Sequence, residues 1–252
     1  MSQESAVTTE GPGGWREHSR PNVELRRKKA LKVIALIDRT RPMAGARVLE
    51  IGTGAGVISA ELARAAGPDG AVTSIDTMDT RLDPTGYTFT PTAGVRLPFD
   101  DGSFDVVVSN HVIEHVGGRG DQQTHVTEIA RVLRPGGLAY LATPTRWSIV
   151  EPHFKVPFVS WLPRPWRSRY IRLVRAGKVY DVDPYGRREL TRELRRTGLP
   201  VTDATLDALT VLGQVEGAHG AVGLLLRAPG WVRRAVRPGL PTMVFLVERP
   251  VA

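Results

Sequence analysis

The sequence predicts a doubly wound α/β fold built on a largely parallel sheet. Short runs rich in Val, Ile and Leu alternate with segments of helical period, a glycine-rich turn follows the first run at once, and 252 residues suffice for one core of that size. Runs that are apolar without polar alternation have the pattern of parallel strands covered on both faces.

Taken in order, Met1 to Gly14 is small, polar and acidic where a secretory leader needs a basic start and an apolar run, so residues 1–21 are expected to be a disordered tail. Val23 to Arg39 sets Val23, Leu31, Ile34, Ala35 and Ile37 at helical spacing, with Arg26, Arg27, Lys28, Lys29 and Lys32 between them, as an amphipathic leading helix would. Pro42 and Gly45 punctuate the chain before a first strand at Ala46 to Ile51. Val57 to Ala66 reads as a helix, Ala71 to Ile75 as a strand, and Asp105 to Ser109 as another, because Val106, Val107 and Val108 are too short a run for a helix. Thr124 to Leu133 is helical, Pro135, Gly136 and Gly137 close it, and Leu138 to Ala142 returns as a strand. Trp147 to Tyr185 lacks a clear period and gathers Trp147, Phe154, Phe158, Trp161, Trp166 and Tyr170, the composition of an inserted cap. Arg187 to Thr197 resumes as a basic helix, followed by strands at Val201 to Thr205 and Met243 to Val247.

Composition excludes several chemistries. At 41% hydrophobic and 24% charged residues the chain has the balance of a globular protein. With no cysteine, thiolate nucleophiles, disulfides, zinc-cysteine clusters and iron-sulfur ligation drop out. The six histidines are scattered, and Asp100, Asp101 and Asp105 read as a turn leading into a strand, so no metal site is expected. No stretch approaches the roughly 18 apolar residues of a membrane span, which makes the cytoplasm the expected location. The net charge of +8 is uneven: residues 1–125 carry 14 Lys+Arg against 16 Asp+Glu, and residues 126–252 carry 20 against 10. The basic half is either a solvated arginine-rich surface or an attraction for an anionic substrate or membrane surface.

Val48, Leu49, Glu50, Ile51, Gly52, Thr53, Gly54, Ala55 and Gly56 place a strand, an acid and three alternate glycines directly before a helix. The glycines permit a tight turn at positive φ and bring bare backbone to a ligand at the strand's carboxyl end. An acid at Glu50 repels a dinucleotide pyrophosphate and attracts the ammonium of a methionine moiety. Spacing agrees, because a dinucleotide fingerprint wants its last glycine one position later, where Val57 stands. About 20 residues on, Asp76 ends the second strand, where an acid can accept both ribose hydroxyls. The pattern predicts a nucleotide-like ligand that carries an ammonium, and a dehydrogenase is disfavoured.

On these residues the sequence resembles the class I S-adenosylmethionine-dependent methyltransferases, in the small-molecule group similar to ubiquinone and menaquinone biosynthesis methylases. The resemblance rests on VLEIGTGAG at 48–56, Asp76, LPFDDGSFDVVVSNHVIEHV at 97–116 and EIARVLRPGGLAYLATPT at 128–145. It implies a Rossmann-like seven-stranded sheet with an antiparallel last strand, and cofactor contacts from Glu50, Gly52, Thr53, Gly54, Gly56 and Asp76. Asn110, His111 and Val112 would border the methionine end, with Glu114 and His115 mainly structural at the strand-to-helix junction. The expected divisions are a leading helix at 22–45, a cofactor-binding core at 46–145, a cap at 146–186 and the rest of the sheet at 187–252. The sequence departs from the family where Pro84, Gly86 and Pro91 interrupt the usual second helix, and where Ala93 replaces an Asp that accepts from the adenine amino group. Backbone groups of Gly94 or Val95 are expected to take over.

Methyl transfer from a sulfonium is an in-line displacement, so alignment carries much of the rate, aided by a base where the acceptor needs one. His153, in the cap after the Thr143–Pro144 turn, is the expected base. The expected acceptor is a small-molecule or lipid-linked one, methylated at oxygen. Leu224, Leu225, Leu226, Trp231 and Val232 beside Arg227, Arg233, Arg234 and Arg237 suggest peripheral contact with an anionic membrane. Two alternatives stay open: an RNA or other nucleic-acid methyltransferase drawn by the basic half, and a cofactor-binding homologue without turnover. Ser109, Asn110, His111 and Val112 lack the Pro-Pro-aromatic arrangement of base amino-methylases, which counts against nucleic acid.

Overall fold

The computed structural model describes residues 22–148, 150–151, 156–174 and 182–251. The expected tail at 1–21 and the expected base His153 lie outside them.

Helix α1 (Val23–Asp38) opens at Asn22, whose side chain accepts from the Leu25 N–H at 3.0 Å, the usual relief for a donor in the first turn. There follow β1 (Arg47–Ile51), α2 (Val57–Ala66), β2 (Ala71–Asp76), β3 (Thr88–Pro91), β4 (Phe104–Asn110), α3 (Arg119–Val132) and β5 (Leu133–Pro144). A two-stranded hairpin of β6 (Val150–Glu151) and β7 (Val156–Pro157), then α4 (Arg164–Val174), occupy the region expected as the cap. The chain continues through α5 (Arg187–Arg195), β8 (Val201–Asp203), α6 (Thr205–Glu216), α7 (Gly220–Arg227), α8 (Gly230–Val236) and β9 (Thr242–Glu248). Seven strands form one sheet in the order β3-β2-β1-β4-β5-β9-β8, in which β9 alone runs against the others. The doubly wound, seven-stranded fold with an antiparallel last strand is therefore present.

Alternation along the strands divides the core in two. Val106 and Val108 of β4 face α1, α2 and α6, where Val33, Leu62 and Val211 meet them. Val107 between them faces α3 and α5, with Ile129 and Leu190. All three valines are fully buried, which is why the strand reads as an unbroken apolar run.

Several boundaries differ from the sequence reading, each for a local reason. Helix α3 starts at Arg119, ahead of Thr124, because the Asp121 carboxylate accepts the Gly118 N–H at 3.0 Å and caps the earlier turn. Pro135, Gly136 and Gly137 do not separate a helix from a strand; they lie within β5, at a register shift against β4, and the Gly136 N–H donates to the Arg249 carbonyl at 2.7 Å. Thr205 begins α6 and does not end β8. Between β2 and β3 the interrupted helix is absent altogether. Residues 77–87 instead strap the glycine loop, with Leu82 N–H donating to Ala55 O at 2.9 Å and Thr80 Oγ1 to Gly54 O at 3.0 Å. The LPFDDG segment is clamped to α3 from the other side: Arg131 donates to the carbonyls of Leu97 and Phe99, while Glu128 accepts the Leu97 N–H at 2.8 Å.

Candidate active site

The turn between β1 and α2 is held at positive φ through Gly52 (+86°), Gly54 (+51°) and Gly56 (+77°), a conformation that only glycine adopts without strain. At Gly52 the need is also steric. A Cβ there would stand 2.5 Å from Val112 Cγ2, so the backbone just after β1 closes against the side chain of Val112, two residues past β4. Gly52 and Thr53 both donate to the Ile75 carbonyl, at 2.8 and 3.1 Å, which fixes the turn to the end of β2.

Three polar groups converge on this turn. Asp76, at the carboxyl end of β2, accepts the Gly54 N–H at 2.8 Å and the Thr77 N–H at 2.7 Å while staying partly open. Glu50 is buried and accepts a short hydrogen bond from Ser59 of α2. Burial pushes its carboxyl up to about 8; the charge of Asp76 adds to the rise, and the Ser59 bond and Arg26 oppose it. Thr53 Oγ1 is buried without a hydrogen-bond partner. A buried acid waiting for a cation and an unpaired hydroxyl in a loop of bare backbone fit a polar ligand carrying an ammonium.

From this turn a narrow cleft runs between β2 and β4, lined by Asp76, Thr92, Gly94, Val95, Val112 and His125. His125 of α3 is buried with Nε2 3.0 Å from Ser109 Oγ, and burial lowers it to about 4, so it is neutral in the cleft wall. On the other side of the β4 terminus, Asn110 and His111 line a second pocket of about 230 Å³ under α1 and α6. His111 adopts φ +58°, unusual for a residue with a side chain, and its Nδ1 lies 3.3 Å from Glu114 Oε1. Glu114 is buried and also accepts from Thr143 Oγ1 at 3.0 Å. Burial alone would raise that carboxyl; the hydrogen bond and charge of His111 outweigh it and hold it below the ordinary value.

A family description of a methyltransferase domain matches residues 49–141, the segment that spans both walls of the cleft. Residues 49–141 thus form a domain similar to those of the class I methyltransferases. The ubiquinone biosynthesis O-methyltransferase of Rhizobium etli is 30% identical over 66% of this chain and 64% of its own length, and that of Maricaulis maris 31% identical over 65% and 66%. The chain thus spans just under two thirds of these curated relatives. The crystal structure of geranyl diphosphate C-methyltransferase from Streptomyces coelicolor A3(2), in complex with Mg2+, geranyl diphosphate and S-adenosyl-L-homocysteine, superposes with a TM-score of 0.53. It is 16% identical, over 91% of this chain and 79% of that one, which shows the shared methyltransferase fold.

Within this methyltransferase fold the structure brings Glu50, Gly52, Thr53, Gly54, Gly56 and Asp76 together at one turn, sets Gly94, Val95 and Val112 along the cleft, and turns Asn110 and His111 to the other pocket. Two features escaped the sequence reading. Arg26 of α1 reaches over the glycine loop, its guanidinium 3.8 Å from where a Cβ of Gly54 would be, and it opposes the pKa rise of Glu50. The pairing of His111 with Glu114 also went unread, since it depends on the positive φ at His111.

Proposed function

We propose that this chain transfers the methyl group of S-adenosylmethionine to an oxygen of a small-molecule acceptor. The observation that carries this reading is the meeting of two pockets at the β4 terminus: Val112 faces the cleft of the glycine turn, and Asn110 and His111 face the pocket under α1 and α6. Bound along the cleft, the cofactor supplies an activated methyl on a sulfonium. Asp76 would accept from the ribose hydroxyls, Glu50 would face the ammonium, Arg26 would hold the carboxylate, and backbone at Gly94 and Val95 would meet the adenine. Thr53 Oγ1 gains the partner it lacks. The O-methyltransferase names of the relatives support oxygen as the accepting atom.

His111 is the base in this reading. Ionised Glu114 can only accept, so its contact with Nδ1 keeps a proton there and orients the imidazole as a base for the acceptor's hydroxyl proton. Glu114 would then stabilise the imidazolium, while the bound cofactor would supply the methyl group. We also propose that α7 and α8 rest on an anionic membrane surface: Leu224 and Trp231 are 76% and 68% exposed beside Arg227, Arg233 and Arg234, and no described helix is long and apolar enough to cross a bilayer. A lipid-linked acceptor is compatible with that placement.

Calorimetric titration with S-adenosylmethionine and separately with NAD tests the central claim. S-adenosylmethionine is expected to bind and NAD not. Asp76→Ala should weaken binding by roughly 100-fold, since two charge-assisted hydrogen bonds of about 1.5 kcal/mol each are lost. Binding of NAD, or a variant that binds as the wild type does, would overturn the reading.

A further inference from the structure

The pocket under α1 and α6 has a character that methyl transfer alone does not require. Its walls are apolar, formed by Val33 and Leu36 of α1, Leu209 and Leu212 of α6, and Leu240 and Val244 near and in β9. Lys29 and Lys32 bring positive charge to this lining, and among the described residues no carboxylate lines it. Lys32 is partly neutralised by Glu216 at the end of α6, its Nζ 2.6 Å from Oε1. Lys29 has no such ion pair among the described residues. Desolvation and the like charges of Arg26 and Lys32 hold its ammonium below the ordinary value, opposed by the charge of Glu216. Cations crowded beside an apolar wall repel one another, and an anion seated among them relieves that repulsion.

These lysines continue along the face of α1 that carries Arg26. Arg26 faces the glycine turn, and Lys29 and Lys32 follow it by about 4.5 Å and about 9 Å along the helix axis. Lys32 is turned toward α6, where Glu216 meets it. Asn110 and His111 close the inner end of the same pocket, at the place where the reaction is proposed to occur. The lining therefore offers an apolar body one resting place, an anionic group another, and a reacting oxygen a third.

We infer that the acceptor is an amphiphilic anion, with an apolar body between α1 and α6, a carboxylate or phosphate held by Lys29 and Lys32, and its accepting oxygen at His111. The position of the oxygen rests on the methyltransferase reading; recognition of the anion and the apolar body does not.

The probes are octanoate, octyl phosphate and octanol, titrated by calorimetry into the protein with and without S-adenosylhomocysteine. Both anions should bind, with octanol about tenfold weaker or more, the order expected when partly screened ion pairs are lost. Whichever anion binds more tightly decides between carboxylate and phosphate. The double variant Lys29→Met, Lys32→Met should bring the anions down to octanol while leaving S-adenosylhomocysteine affinity within about twofold. Ala208→Trp fills the pocket and should remove all three probes, with S-adenosylhomocysteine binding confirming that both variants fold. Equal binding of octanol and the anions, no binding of any probe, or an anion preference that survives the double variant would overturn the inference. So would a double variant that loses S-adenosylhomocysteine with its anion preference intact, because the lysines would then belong to the cofactor. A wild type that binds the anions and no S-adenosylhomocysteine would sink the methyltransferase reading and leave this one standing.

Discussion

The part of the molecule that holds β1 to β4 and α3 and the part that runs from residue 146 to α8 differ in which groups dominate their surfaces and interiors. In the first, charged groups are buried and answered. Asp105 takes short ion pairs from Arg41 and Arg134 and the Arg47 N–H, Glu128 takes Arg131, and Glu114 takes His111 and Thr143. In the second, large apolar side chains stand in the open: Trp166 and Leu173 of α4, Leu224 of α7 and Trp231 of α8. The first part binds by fixed backbone and buried acids, which suits a cofactor of constant shape. The second offers adaptable apolar and basic surface, and the proposed acceptor pocket lies where α6 from that part meets α1 and the β4 terminus.

If this division holds, substitutions on the two sides must fail in different ways, and the residue at the seam should show the largest effect. His111→Asn is expected to lower kcat by about 10²–10⁴, the range for loss of a positioned base, while S-adenosylmethionine affinity stays within about threefold. Equal rates in His111→Asn and wild type across pH 6–9, for an acceptor found by screening, would leave alignment alone as the source of catalysis.

Next in size is Gly52→Val. A side chain at φ +86° is strained wherever it is placed, and here its Cβ meets Val112. Cofactor binding should fall by about 100-fold or more, with thermal unfolding lowered by the strain, about 1–3 kcal/mol for a residue forced into such a conformation. The matching change on the other side, Ala208→Trp, should leave cofactor affinity nearly untouched. A Gly52→Val protein that binds the cofactor normally would place the ligand elsewhere.

How far each part could be read in advance follows the same line. Glu50, the three glycines and Asp76 were legible because strand, turn, helix and strand are contiguous, so the chemistry is written within about thirty residues. The acceptor pocket was not, because its walls come from α1, α6, β4 and β9, which only the sheet order brings together. Arg26 illustrates the same limit within one helix: it sits among four other basic residues, and only the packing of α1 on α2 shows that it alone overhangs Gly54. Strand β3 was missed for a related reason. Thr88 to Pro91 is too short and too polar to announce a strand, and its only neighbour in the sheet is β2.

A smaller effect separates stability from binding within the first part. Glu50 sits at about 8 in the ligand-free protein against an ordinary 4.5, so the folded state holds more protons than the unfolded one between those values. Stability of the ligand-free protein therefore falls as pH rises from about 4.5 through about 8, because the burial penalty on the carboxylate grows. Glu50→Gln should remove that fall, giving a Tm that gains on the wild type as pH increases. The same variant should bind S-adenosylmethionine roughly tenfold less tightly, the scale of one charge-assisted hydrogen bond. A Tm difference that does not change with pH would show that Glu50 is ionised in the folded protein without a ligand.

The smallest effects belong to the open surface. Leu224→Ser with Trp231→Ser alters side chains that are mostly in solvent, so unfolding should shift by no more than about 0.5 kcal/mol per site and cofactor affinity should stay level. Association with anionic vesicles in physiological salt should nevertheless drop sharply, measured by sedimentation, because the apolar anchors are gone and arginine attraction alone is screened within about 8 Å. Wild-type protein that stays in the supernatant would end the membrane proposal. Vesicle binding that survives the double substitution but vanishes on raising the salt would assign it to the arginines alone, and α7 and α8 would then be a basic surface without an inserted face.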